Sequence, residues 1–263
     1  MSGADRKRSP SGSHEIFRAA IVIYFLLFIH SGIPDGNGYT FGQQVSRALK
    51  MNITEPSLQT IIHSQSEKLY QKGDSLYGAD KTFSGLFVLI SGAVRLYRLT
   101  EEGDELVTGF CLTGEWCGLP DLSTGRYAGY AQALDTCAVR RLSPVLLETV
   151  LADKRSRRDM YALMSDIIRK NKTRYYQISK ARADIRFAMF ILDLSHRFSQ
   201  QGYSSHEFRL PMTRADIANY LGLTPETVSR EITKLEKRNI LHFRSRYITV
   251  HDVSVLESFI ADK

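Results

Sequence analysis

The sequence predicts an α+β protein in three parts: an N-terminal β-roll of jelly-roll type, a long dimerisation helix and a C-terminal winged helix-turn-helix. Three observations predict it. Short strand-like segments with glycine turns fill the chain as far as Leu142. An apolar stripe at steps of four and three runs from Met160 to Ile178. Two short capped helices follow one another within Met212–Arg230, and a hairpin pattern comes after them. On these patterns residues 1–50 form a tail, 51–145 the β-roll, 146–182 the long helix and 183–263 the winged helix-turn-helix domain.

The β-roll opens with a predicted helix over Asn52–His63, with Thr54 and Glu55 near its start and Leu58, Ile61 and Ile62 on one side. Lys72-Gly-Asp74 is a turn. Leu86–Ile90 is a continuous apolar run, read as a buried strand that Ser91-Gly92 ends. Next, Val94, Leu96 and Arg98 alternate with Arg95, Tyr97 and Leu99, the pattern of a half-buried strand. Glu101–Asp104 is a hairpin turn, after which Leu106–Leu112, Tyr130–Leu134 and Ala138–Leu142 are further strands.

Ser143-Pro144 opens a helical region that reaches about Gln201, with proline where a missing N–H costs nothing. Within it Met160, Met164, Ile167, Asn171, Tyr175 and Ile178 form an a/d stripe, the mark of a coiled-coil seam and so of a homodimer. The competing reading is a helix packed on its own domain. The charged flank of Arg169, Lys170, Lys172 and Arg174 favours an exposed helix with one adhesive face. Asn171 within the seam would fix register.

In the C-terminal part, Thr213 caps a first short helix and Asp216 completes a capping box. Gly222 ends that helix, where positive φ is easiest. Thr224 caps the second helix and Pro225 takes its first position. Val228, Ile232 and Leu235 fall on one face; Glu226, Ser229 and Arg230 fall on the other. An acid, a hydroxyl and a guanidinium within one turn suit base edges, Arg to guanine and Glu to the cytosine amine. Thr213, Arg214, Thr224 and Thr227 join them as DNA-contact candidates. A helical hairpin buried in another core would explain the apolar residues but not this polar cluster. Past Asn239, Ile240–Val250 reads as the β-hairpin wing.

At 263 residues, 43% hydrophobic and 24% charged, the chain is an ordinary globular one, and a net charge of +7 suits a polyanionic partner such as double-stranded DNA. Cys111, Cys117 and Cys137 are too few and too irregular for a disulfide framework, which fits a reducing cytoplasm. No CxxC, HExxH, Walker loop or GxSxG is present, and no catalytic constellation points to an enzyme. The tail holds Arg6-Lys-Arg8 and an apolar run, Ala19–Ile29, shorter than the roughly 18–20 residues that span a bilayer. A packed or interfacial helix, a weak anchor and sequence upstream of the true start remain open for it. If the last holds, a chain starting at Met51 keeps full activity.

The order of parts resembles the CRP/FNR superfamily of bacterial transcription regulators, and its FNR branch more than its CRP branch. The stretches that carry the resemblance are Gln71-Lys-Gly73, Ser91-Gly92, Thr100–Asp104, Thr108-Gly-Phe110, Ala131–Leu134, Glu207–Leu210, Met212–Arg230 and Tyr247-Ile-Thr249. They cover about Met51 to Val250, and the helix-turn-helix is the most specific of them. The resemblance implies a cyclic-nucleotide-binding-like β-roll. It implies Glu226, Ser229 and Arg230 as the recognition triplet Glu-x-x-Ser-Arg, and an operator close to TTGAT-N4-ATCAA, one half-site per subunit. It also implies that Thr100, Glu101, Glu102, Gly103 and Asp104 form an RNA polymerase contact, with activation more expected than repression.

Two departures bear on cofactors. The iron–sulfur sensors of the branch use cysteines ahead of the first helix and one in the β-roll. Here the last N-terminal position carries Ala48 and the β-roll position Arg140, so no family-type cluster and no metal is expected. In the phosphate cassette of the cyclic-AMP regulators, Leu119 replaces the glutamate and Tyr127-Ala128 the Arg-Ser pair, with Arg126 one residue off; cyclic AMP is not expected either. A regulator that senses a small molecule or an oxidant through the β-roll or its thiols is the alternative.

Overall fold

Ser57 starts the first helix: its hydroxyl accepts from the Thr60 N–H, and α1 runs Leu58–His63. The computed structural model describes residues 57–261. The predicted helix start at Asn52, with Thr54 and Glu55, lies outside the described residues, as do the tail 1–50 and Ala48.

Eight strands then build the roll: β1 (Glu67–Tyr70), β2 (Ser75–Tyr77), β3 (Leu86–Ser91), β4 (Ala93–Leu99), β5 (Glu105–Leu112), β6 (Trp116–Cys117), β7 (Tyr130–Ala133) and β8 (Cys137–Leu142). They form two four-stranded sheets, β1-β8-β3-β6 and β2-β7-β4-β5, and every paired neighbour is antiparallel. The two sheets enclose Leu86, Leu89, Val94, Ala131 and Leu142, each 1% exposed or less. Gly92 allows β3 to pass into β4: its φ is +93°, and a Cβ there would meet Thr136 O at 2.6 Å. The β4–β5 turn closes with Thr100 N–H on Asp104 O at 2.9 Å.

β4 is buried at its start and opens along its length, with Arg95, Leu96 and Tyr97 half-buried and Arg98 and Leu99 exposed. Val94 faces the interior, but Ala93 on the opposite face is only 2% exposed. At that end the outer face is covered as well, since Ala93 joins the core built by the C-terminal helices. β1, β2 and β6 are two to four residues long, too short to show a period in sequence.

The helical region is three helices. The Ser143 hydroxyl caps α2 (Pro144–Ala152), extended Asp153 interrupts it, and α3 (Lys154–Lys180) follows. After Ala181-Arg182 comes α4 (Ala183–Gln200). The winged domain adds β9 (Glu207–Arg209), α5 (Arg214–Leu221), α6 (Pro225–Lys237), β10 (Leu241–Arg244), β11 (Tyr247–Val250) and α7 (Val253–Ala261), with a sheet ordered β10-β11-β9. Its core joins Phe187, Ile191 and Leu194 of α4 to Ile217, Val228, Ile232, Leu235, Ile248 and Leu256. Val107, Phe110 and Leu112 of β5 belong to that same core. The β-roll therefore contributes a wall to the winged domain.

Candidate nucleic-acid interface

The helix-turn-helix forms where local chemistry places it. The Thr213 hydroxyl accepts from the Asp216 N–H at 3.1 Å, and Asp216 accepts from the Thr213 N–H at 2.9 Å, which closes the capping box. Gly222 ends α5 at φ 63°, in the left-handed region. The Thr224 hydroxyl caps α6 by accepting from the Thr227 N–H at 3.2 Å, with Pro225 in the first turn. Val228 and Leu235 are fully buried and Ile232 is 3% exposed, so that face anchors α6.

The opposite face remains free. Glu226 is exposed, and the Arg230 side chain is 72% exposed, its nearest acid being Glu231 at 3.7 Å. Ser229 donates to Pro225 O at 3.0 Å and accepts from Arg214 Nη1 at 3.4 Å. The Arg214 guanidinium also lies 5.3 Å over the Phe243 ring of the wing, so one side chain links α5, α6 and β10. The sequence-predicted Arg214, Thr224, Thr227, Ser229 and Arg230 thus lie on or beside the first turns of α6, and Thr213 caps the neighbouring helix. Partial positive charge at both N-termini favours phosphate there. Sequence reading missed an ion pair that ties α6 to α4. Asp184 of α4, 2% exposed, pairs with Lys234 at 2.7 Å and with Arg182 at 3.3 Å.

The long helix α3 separates the predicted seam residues. Met160 is fully buried in the β-roll core beside Leu147 and Val150, and Ile167 is partly buried against that core. Both are turned inward because α3 lies along the roll for its first half. Met164 and Ile178 are half-buried, while Asn171 and Tyr175 are exposed. Among the described residues of α3 the exposed large apolar side chains are Tyr161 (57%), Ile168 (55%) and Tyr175 (77%), at intervals of seven. The open stripe is therefore offset by one residue from the predicted one in its N-terminal half. At the turn predicted to meet polymerase, Thr100, Glu101, Glu102, Gly103 and Asp104 are all exposed, flanked by exposed Leu99 and Leu106.

The β-roll interior is filled by rings. Tyr127, 1% exposed, stacks on Tyr77 with centroids 4.0 Å apart and lies 5.2 Å from Phe83. Its hydroxyl donates to Gly85 O at 2.7 Å and accepts from Ser84 N–H at 3.1 Å. The residue at the cassette arginine position thus occupies the cavity and satisfies itself there, while exposed Arg126 donates to Asp80 O. These residues do not fit a cyclic nucleotide. Arg140 is held by Glu67 at 2.7 Å and by His63 at 2.9 Å, and a guanidinium so placed does not fit an iron ligand. Cys111, Cys117 and Cys137 are buried free thiols. Interaction with Cys111 and burial hold the Cys117 thiol well above the usual thiol range, and burial pushes Cys137 up. Among the described residues no cluster of three metal-ligating side chains occurs, and no helix is long and apolar enough to cross a membrane.

Comparison with known proteins agrees with this geometry. A family model for the Crp-like helix-turn-helix domain matches residues 185–259, and one for the cyclic nucleotide-binding domain matches residues 67–154. The fumarate and nitrate reduction regulatory protein of Yersinia pestis is 40% identical over 193 residues, 73% of this chain and 77% of that protein. The protein of the same name from Escherichia coli K12 is 38% identical over the same coverage. Among solved structures, FixK2 from Bradyrhizobium japonicum superposes with a TM-score of 0.67 at 29% identity, covering 74% of this chain and 96% of that one.

Proposed function

Because the chain belongs to the CRP/FNR superfamily of DNA-binding transcription regulators, we propose that it is a homodimer that reads an FNR-like palindrome, TTGAT-N4-ATCAA, and activates transcription by touching RNA polymerase. The family is one of regulators, not of enzymes. One observation carries the operator reading: Glu226, Ser229 and Arg230 stand together on the free face of α6 while Val228 and Leu235 anchor the other. Arg230 offers a bidentate fork to guanine O6 and N7, and Glu226 an acceptor for the cytosine amine. The Crp branch, with a TGTGA palindrome, carries Arg-Glu-x-x-Gly-Arg on this helix, and Pro225 and Ser229 stand here in place of its first Arg and its Gly.

A palindrome calls for a twofold dimer. Tyr161, Ile168, Asn171 and Tyr175 form an open stripe of α3 that supports one, with half-buried Met164 and Ile178 beside it and Asn171 as the polar register residue. The exposed turn Thr100–Asp104 offers acids and flanking leucines to the polymerase. Neither an iron–sulfur cluster nor cyclic AMP belongs to this reading, given Arg140 and Tyr127. The filled roll also speaks against a small-molecule sensor.

Selection of random duplexes by the full chain tests the proposal. The selected consensus is expected to be TTGAT-N4-ATCAA, bound equally in air and under nitrogen by a colourless protein that sediments as a dimer. A TGTGA consensus, a monomer, or a brown iron-bearing protein would overturn it.

A further inference from the structure

The recognition unit is fastened to the β-roll as well as to its own domain. Arg95 of β4 reaches Asp216 of α5 at 3.1 Å, and the same guanidinium pairs with Glu105 at 2.7 Å and Gln132 at 2.9 Å. Asp216 is the residue that closes the capping box, so Arg95 holds the charge that starts α5. One turn further on, the Asn219 amide bonds the β5 backbone twice. Its Nδ2 donates to Glu105 O and its Oδ1 accepts from Val107 N–H, each at 2.7 Å. β5 is the edge of its sheet, and an edge strand must satisfy its outward N–H and C=O groups. A side-chain amide does so here, as a neighbouring strand would.

The long helix enters the same junction. Arg174 of α3 donates to Thr108 O, to Val107 O at 3.1 Å and to Tyr220 O at 3.2 Å. Its guanidinium lies 4.0 Å over the Tyr220 ring, which packs on Phe110 at 5.1 Å and Phe190 at 5.7 Å. Only Ala181-Arg182 separates α3 from α4, and so short a joint does not by itself fix the orientation of the winged domain.

We propose that Arg95, Asn219 and Arg174 are positioning residues for operator recognition: through α5 they set the pose of α6 relative to the twofold partner. The inference rests on the dimer reading. Two recognition helices must fall about 34 Å apart to enter successive major grooves, so a small rotation of the winged domain spoils paired reading. It leaves a single half-site readable. The contacts that fix this rotation lie away from the DNA-reading face.

The test compares two duplexes, the palindrome that the unmutated full chain selects from random sequence and the same duplex with one half-site scrambled. Arg95→Gln and Asn219→Asp are each expected to weaken palindrome binding about ten-fold, leave half-site binding within about two-fold, and relax the preference for a four-base spacer. Arg95→Lys, which keeps the charge, should recover part of the loss. Asp216→Asn keeps an oxygen for the cap, and combined with Arg95→Gln it should be no worse than either change alone. Equal losses on both duplexes would mean that these residues only hold α5 folded, and no loss would mean that α4 alone orients the domain; either overturns the proposal. An unmutated chain that binds palindrome and half-site alike would instead refute the dimer reading, and the inference would fall with it.

Discussion

The interior of the β-roll and the free face of α6 use polar groups in opposite ways. In the roll, the Tyr127 hydroxyl is satisfied by Ser84 and Gly85 and its ring is stacked on Tyr77. Its polar atom is thus already paired within the roll. On α6, Glu226 is exposed and the Arg230 guanidinium meets no carboxylate closer than 3.7 Å. Polar groups that the fold leaves facing solvent beside a positive helix end are available for a partner, whereas those that close on each other serve stability. The exposed polar groups of α6 therefore form a surface for a partner, whereas those of Tyr127 close on the roll itself.

The largest effect that would sharpen this contrast is in the roll. Tyr127→Ala should lower stability by about 3–5 kcal/mol in chemical denaturation, the cost of emptying a large aromatic site. Tyr127→Phe, which strands the Ser84 and Gly85 groups, should cost about 1–3 kcal/mol. If Tyr127→Ala melted like the unmutated chain and gained affinity for a cyclic nucleotide, the roll would be a ligand site after all.

Arg230→Ala probes the other region. It should cost about 1–3 kcal/mol per half-site on the selected operator and much less on random DNA, with no change in the denaturation midpoint. Equal losses on both DNAs would reduce Arg230 to a phosphate contact.

Thr224→Ala sits between the two regions, since it removes a cap from the reading helix. A loss of about 1 kcal/mol of stability is expected, read by chemical denaturation. An unchanged midpoint would show that α6 is held by Val228 and Leu235 alone.

The smallest expected effect concerns the thiols. Interaction with Cys111 and burial raise the Cys117 value, and burial raises that of Cys137. A raised thiol value keeps the proton on through neutral pH, so the reactive thiolate stays scarce. Alkylation at pH 7 should be slow in the native protein and complete at three sites in urea, and mild oxidants should leave operator binding unchanged. Fast native labelling that abolishes binding would revive the redox-sensing alternative.

The helix-turn-helix could be read almost to the residue before any fold was known, because every signal in it is local. Thr213 and Asp216, Gly222, Thr224-Pro225 and the Val228–Ile232–Leu235 face act across three or four residues, within reach of one helical turn. The Thr100–Asp104 turn was legible for the same reason. The exposed face of α3 was not. Apolar residues at 160, 161, 164, 167 and 168 give two adjacent stripes, and only the β-roll lying against one of them decides that Met160 is core and Tyr161 is surface. Nor does any local signal bring Asn219 to Glu105, 114 residues away. Helical periodicity fixes which residues share a face. The partner of that face is settled by the packing of distant segments, and it was there that the tertiary structure decided.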